Sequence, residues 1–171
     1  MLVGITEQLF QLGQAARRLN DGSDRLDRSL AEIDRALGRL MLGFEHQLTR
    51  PIAEVVHHDR DGKRIIEVSY LGYMRFAGSD ERADVRRPGA GFHLGVRTVK
   101  VFEGRRPPEG EPLPRVTPLV EAPRAVRHAA VDHLSELVSG LAAQVDEMVE
   151  HIERREAIAE TILATFGEPK P

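Results

Sequence analysis

Histidines and carboxylates are the side chains of this chain best suited to chemistry, because the sequence contains no cysteine. Three pairs of them have spacings that occur in metal sites: Glu54 with His57, His128 with Asp132, and Glu147 with His151. A metal centre needs more than two protein ligands. The first pair falls in a predicted strand, and each helical pair would need a partner chain to complete a site. We therefore expect no metal site.

The motifs of nucleophilic and nucleotide-dependent catalysis are also missing. The sequence has no G-x-S-x-G elbow, no P-loop and no G-x-G-x-x-G motif. The glycine-rich run GAGFHLG at 89–95 precedes a predicted strand, whereas glycines that bind phosphate open a helix. We predict that the chain is not an enzyme, with no catalytic residues and no cofactor.

Positive charge gathers in the middle of the chain, where residues 49–124 carry 14 Lys and Arg against 11 Asp and Glu. Basic loops near aromatic side chains can bind a nucleic-acid backbone. Glu81, Asp84 and Glu103 dilute this charge, and the net charge of −3 gives no overall attraction to nucleic acid. An acidic protein partner and an unspecific charged surface are the other interpretations. The candidate contacts for an anionic partner are seven cations: Arg82, Arg86, Arg87, Arg97, Lys100, Arg105 and Arg106.

The elements that would position these groups begin with a long N-terminal helix. Apolar residues alternate at spacings of three and four along it, which is the a/d pattern of a coiled coil. Only Ser23 interrupts the series: Leu2, Ile5, Leu9, Leu12, Ala16, Leu19, Ser23, Leu26, Leu30, Ile33, Leu37, Leu40 and Phe44. We expect the helix to end near Leu48, before Thr49-Arg50-Pro51.

The stretch Asn20-Asp21-Gly22-Ser23 is a turn signal within that helix. The heptad phase continues through it without a slip, which favours one continuous helix. A small residue also recurs every seven positions beside the seam, and Gly22 belongs to this row. The alternative is a break at which Ser23 or Asp21 caps a second helix.

The C-terminal part reads as a second long helix, from Pro123 to a stop signal at Gly167-Glu168-Pro169. Its apolar stripe is wider than a strict seam, which suggests contact with more than one helix. Its acidic run, from Asp146 to Glu156, is either a solvated face or a match for the arginines of the first helix. The two helices together predict an oligomer seam: Leu19, Leu26, Leu30, Ile33, Leu37, Leu40, Phe44, Leu134, Leu141, Val145, Met148 and Ile152.

The middle segment reads as β-structure. Asp61-Gly62 predicts a two-residue hairpin turn, which would pair Val55 with Val68. The stretch FHLGVRTVKV at 92–101 alternates and then changes phase, which predicts a bulge near Arg97-Thr98. The charged run at 79–91 reads as a loop. The proline-rich connector that follows the strands is either a stiff spacer or a strip that docks on a partner.

These elements predict an α+β fold, in which two long antiparallel coiled-coil helices flank a β head of three or four antiparallel strands. The expected segments are a helix (1–48), a β-hairpin head (49–104), a proline-rich connector (105–123), a helix (124–167) and a tail (168–171). This helix–hairpin–helix layout resembles that of prefoldin-type chaperone subunits, whose coiled coils project from a platform of strands.

Aromatic residues make up only 5% of the sequence, which suits helix-on-helix packing better than a large compact core. No segment has the composition of a signal peptide or of a membrane span. We expect a soluble, cytoplasmic, non-enzymatic assembly or adaptor subunit. It would form a homodimer or higher oligomer through its helices and bind an unidentified protein through the head, with nucleic acid as the alternative partner.

Overall fold

The protein folds as α+β, with helices packed on a five-stranded antiparallel sheet. The computed structural model describes residues 2–76, 91–103 and 114–166, with side chains from Ile5 onward. The elements in chain order are α1 (Leu2–Arg39), β1 (His46–Gln47), β2 (Ala53–His58), β3 (Arg64–Arg75), β4 (Phe92–Phe102), β5 (Arg115–Pro118), a 3-10 helix (Leu119–Glu121), α2 (Arg124–Val131) and α3 (Leu134–Phe166).

Helix α1 runs without interruption through Asn20–Ser23, so the prediction of a continuous helix is confirmed. It ends at Arg39, earlier than the expected Leu48. The last turn of the helix is tightened by a hydrogen bond between residues three apart, from the Leu40 N–H to Leu37 O at 3.0 Å. The chain then turns away through two left-handed residues, Met41 at φ 49° and Gly43 at φ 75°. The left-handed residue Met41, two positions after Arg39, thus marks the end of the helix.

The β2–β3 hairpin has a longer loop than the sequence predicts. Val55 pairs with Glu67, one residue away from the expected Val68. The cause is Asp59, whose Oδ1 accepts the Asp61 N–H at 2.9 Å and the Lys63 N–H at 2.8 Å. These bonds hold residues 59–63 together as a loop, with Gly62 at φ 74° in the left-handed position.

Strands β3 and β4 pair over their whole lengths, from Ile65↔Phe102 to Arg75↔Phe92. The bulge expected near Arg97-Thr98 is therefore absent from this ladder. Val99 and Val101 lie on the opposite face of the sheet from Leu94 and Val96. The strand is therefore regular, and its apolar residues simply move from one face of the sheet to the other along its length.

Among the described residues the sheet has five strands, where three or four were expected. Strands β1 and β2 both pair with β3, and β5 pairs with the free side of β4. Strand β1 comes from residues that the sequence assigned to the end of the first helix. Strand β5 comes from the proline-rich connector, and its last residue, Pro118, is paired in register with Gly95. The expected loop at 79–91 is described only at Gly91.

The core lies between one face of the sheet and the helices. On that face of the sheet, Leu71 of β3 lies beside Val96 of β4, and Tyr73 lies beside Leu94. The buried residues that pack together are Leu30, Leu37, Leu48, Ile52, Leu71, Tyr73, Leu94, Val96, Leu119, Ala122, Val126, Ala130, Leu137 and Leu141. The C-terminal half of α1, all of α2 and the start of α3 thus share one core with the strands.

The C-terminal helical region is divided where the sequence predicts a single helix. Helix α2 ends at Val131 and α3 begins at Leu134. The His133 N–H donates to Ala130 O at 3.0 Å, which tightens the turn, and the Leu137 N–H then returns to His133 O at 3.0 Å. Neither glycine nor proline occurs at this break.

Candidate functional site

Two helical arms extend beyond the core. In the α1 arm (residues 5–19) and the α3 arm (residues 146–166) every residue is exposed. At 1.5 Å per residue these arms are about 22 Å and 32 Å long. Because every described side chain of both arms is exposed, the two arms of one chain are not packed against each other.

The arms carry large apolar side chains in contact with solvent. On α1, Leu9 is 63% exposed, and on α3 Ile152 is 58% and Phe166 is 83% exposed. Residues of this size at three- and four-residue spacing form a stripe along one side of a helix. The exposed stripe residues of the two arms are Ile5, Leu9, Leu12, Leu19, Met148, Ile152, Ile162 and Phe166.

The structure divides the predicted seam into two groups. Seven of its members belong to the chain's own core or pack against it: Leu26, Leu30, Ile33, Leu37, Phe44, Leu134 and Leu141. Four are exposed and Val145 is half-buried; the exposed ones are Leu19, Leu40, Met148 and Ile152. The heptad pattern of α1 therefore continues from a solvent-facing arm into a segment that packs on the sheet.

The polar residues of the Asn20–Asp27 region attach α1 to α2. Asp27 receives two hydrogen bonds from the Arg127 guanidinium, Nε to Oδ1 at 2.7 Å and Nη2 to Oδ2 at 3.0 Å. Ser23 is buried and lies 3.1 Å from His128 Nε2. Asn20 accepts from Arg124 at 3.2 Å.

Sequence reasoning missed this junction. Asn20, Ser23 and Asp27 recur at the three- and four-residue spacing of one helix face, and that spacing was the available signal. The stretch resembling a turn is thus a polar contact surface on a continuous helix. Gly22 has open space where a Cβ would lie.

Helix α3 is fixed to the sheet at its start by two further polar contacts. Arg50 Nη2 donates to Glu136 Oε2 at 2.6 Å, and His46 Nδ1 lies 3.1 Å from Gln144 Oε1. The Arg50 hydrogen bond lowers the pKa of the Glu136 carboxyl, against an opposing effect of desolvation. Gly140 makes room for the His46 ring, which a Cβ there would overlap.

An Asp–His pair joins α1 to the start of β4. Asp34 Oδ2 lies 2.9 Å from His93 Nδ1, and Asp34 Oδ1 accepts the Leu94 N–H at 2.6 Å. Tyr73 is buried nearby with its hydroxyl 3.5 Å from Leu37 O. Burial raises the pKa of the Tyr73 phenol, and the Asp34 charge raises it further. Because Asp34 and His93 are far apart in sequence, spacing along the chain offered no signal for this pair.

The structure describes only two of the seven candidate cations, since Arg82, Arg86, Arg87, Arg105 and Arg106 lie outside the described residues. Arg97 and Lys100 differ by an odd number of positions on the regular strand β4, so they lie on opposite faces of the sheet. Arg97 Nη2 lies 4.0 Å from Glu45 Oε2, and Lys100 is paired in register with Glu67. These two cations do not form one surface.

The three pairs with metal-site spacing lie in different elements of the fold. Glu54 and His57 point to opposite faces of β2, and His128 is the partner of Ser23. The exposed His151 lies 3.8 Å from Glu147 one helical turn away. Within the part of the chain that the structure describes, no group of three His, Asp or Glu side chains could hold a metal ion.

None of the described helices is both long enough and apolar enough to cross a lipid bilayer.

Comparison of the chain with protein-family profiles, with curated proteins and with solved structures found no match. The likeness to prefoldin-type subunits therefore stays one of element order.

Proposed function

We propose that this chain is a non-enzymatic assembly subunit whose helical arms pair with those of a second copy. The observation that supports this most strongly is the exposed apolar stripe on both arms. Burying large aliphatic and aromatic side chains contributes roughly 1.5–3 kcal/mol each. If the arms stayed apart in water, these side chains would remain exposed along about 22 Å and 32 Å of helix, and this stabilisation would not be gained.

The charges of the arms favour pairing of unlike arms. The α3 arm carries six carboxylates against two arginines, whereas the α1 arm carries one carboxylate against two arginines. Two α3 arms side by side would place like charges along a shared seam, which is unfavourable. Pairing an α1 arm with the partner's α3 arm in the antiparallel sense brings Arg17 and Arg18 near Asp146, Glu147 and Glu150.

The sheet is the proposed contact for a protein partner. Val56, Ile66 and Val101 form a cross-strand row on the face away from the helices, and Val56 and Val101 are 45% and 48% exposed. Apolar residues in adjacent strands form a continuous surface that another protein can cover. Under this proposal the arms set the copy number and the sheet recruits the partner.

The molar mass in solution tests the assembly. The chain has a mass of 19.1 kDa, so light scattering distinguishes monomer from dimer directly. Leu9→Asp and Ile152→Asp each place a charge in a stripe and should shift the mass toward the monomer. Gln14→Asp and Ala157→Asp place the same charge on the other side of each helix and should leave the mass unchanged. A monomeric wild-type chain at high concentration would refute the proposal.

A further inference from the structure

A cavity of about 260 Å³ lies where α1 crosses the end of the sheet, beside the Asp34–His93 pair. Its apolar lining includes Leu30, Phe76, Leu94 and Leu119. Leu30, Leu94 and Leu119 are almost fully buried, so they form a floor that belongs to the core. His93 lies at the edge, where its side chain is 44% exposed. The cavity thus has an apolar interior and a polar side chain that solvent reaches.

The volume sets the size of a ligand. Pockets for drug-sized ligands usually span about 300–1,000 Å³, and an apolar cavity of about 150 Å³ can hold benzene. A space of about 260 Å³ therefore suits one substituted aromatic ring. Phe76 also lies against the His93 ring, with centroids 6.2 Å apart, so one aromatic side chain already lines the site.

The hydrogen bonds of Asp34 determine what His93 can offer. Both Asp34 oxygens are engaged, one by the Leu94 N–H and one by His93 Nδ1. An ionised carboxylate only accepts hydrogen bonds, so Nδ1 carries the proton. In the neutral imidazole Nε2 is then an acceptor, and it has no hydrogen-bond partner among the described residues. A ligand should accordingly present a donor to Nε2.

Charge excludes an anionic ligand. Asp34 is the ionisable neighbour of His93 in the lining, and no Lys or Arg is among the lining residues that the structure describes. We propose that this cavity binds a small neutral aromatic molecule with one hydroxyl or N–H donor, of the phenol or indole type. The ring lies on Leu30, Leu94 and Leu119, and the donor bonds to His93 Nε2. This site is independent of the arms.

The experiment is a titration of the isotopically labelled full chain with 4-methylphenol and with toluene, followed by NMR. Both ligands should shift the amide signals of Leu94 and Leu119 in a saturable way. The phenol should bind about fivefold more tightly, as expected for one hydrogen bond.

His93→Phe should remove the preference for the phenol while toluene still binds, and its circular dichroism verifies that it is folded. Equal affinities of the wild-type chain for the two ligands would overturn the role of His93. The absence of saturable shifts at Leu94 and Leu119 with either ligand would overturn the site itself. Neither result depends on whether the variant folds.

Discussion

Two glycine-to-alanine substitutions, at Gly22 in α1 and Gly140 in α3, test the placement of the long helices. Both glycines lie inside a helix, where alanine is more stable by about 1 kcal/mol because it loses less backbone entropy. A Cβ at Gly22 meets nothing within 4 Å. Gly22→Ala should therefore stabilise the chain by about 0.5–1 kcal/mol.

Gly140→Ala has the same helical gain but an unfavourable contact. Its Cβ would overlap the imidazole of His46, and that ring is held by Gln144 at 3.1 Å. Forcing an extra methyl into a packed site costs about 1–3 kcal/mol. After the helical gain is subtracted, the net effect should be a destabilisation of up to about 2 kcal/mol.

The assay is urea unfolding of the two variants and the wild type at one protein concentration, because assembly makes apparent stability concentration-dependent. The double variant Gly140→Ala with His46→Ala should lose most of the overlap cost that Gly140→Ala alone carries. A destabilisation by Gly22→Ala at every concentration would refute the continuous helix with open space at that position. Destabilisation that appears only in the assembled state would place a partner's backbone against Gly22.

Three further outcomes follow from the polar contacts. Asp27→Ala should lower the free energy of unfolding by about 1–3 kcal/mol, because the largely buried Arg127 guanidinium loses the two hydrogen bonds that it donates to Asp27. Arg50→Ala is the surface comparison and should cost less than Asp27→Ala, since the contact of Arg50 with Glu136 is largely exposed. Folding raises the pKa of Tyr73 above its ordinary value of 10.0, so stability should fall as pH rises past about 10. Tyr73→Phe should reduce that alkaline loss, as measured by urea unfolding between about pH 9 and 11.

Local patterns predicted the long elements of this fold. The unbroken heptad phase through Asn20–Ser23 correctly indicated one helix, because a loop would place no constraint on the phase of the residues that follow. Asp61-Gly62 correctly located a hairpin, but the Asp59 side chain takes up two backbone N–H groups and lengthens its loop. Side-chain bonds to the backbone of this kind are not visible in residue spacing.

The packing of these elements against one another could not be predicted from local sequence patterns. An apolar stripe shows which side of a helix is buried but not what covers it. Leu30 and Leu37 keep the same heptad phase as Leu9, yet they pack on the sheet while Leu9 contacts solvent. The Asp34–His93 pair depends on α1 crossing the end of β4, a contact between residues distant in the chain.

A distance between the α1 arm of one copy and the α3 arm of another tests the proposed pairing of the arms most directly. The chain has no cysteine, so single spin labels can be placed at Gln14→Cys in one preparation and Glu153→Cys in a second. Dipolar spectroscopy on the mixed sample should give a cross-copy distance of about 20–30 Å, the span of two paired helices with their labels. A dipolar signal confined to chains labelled at the same position, or none at all, would contradict the account.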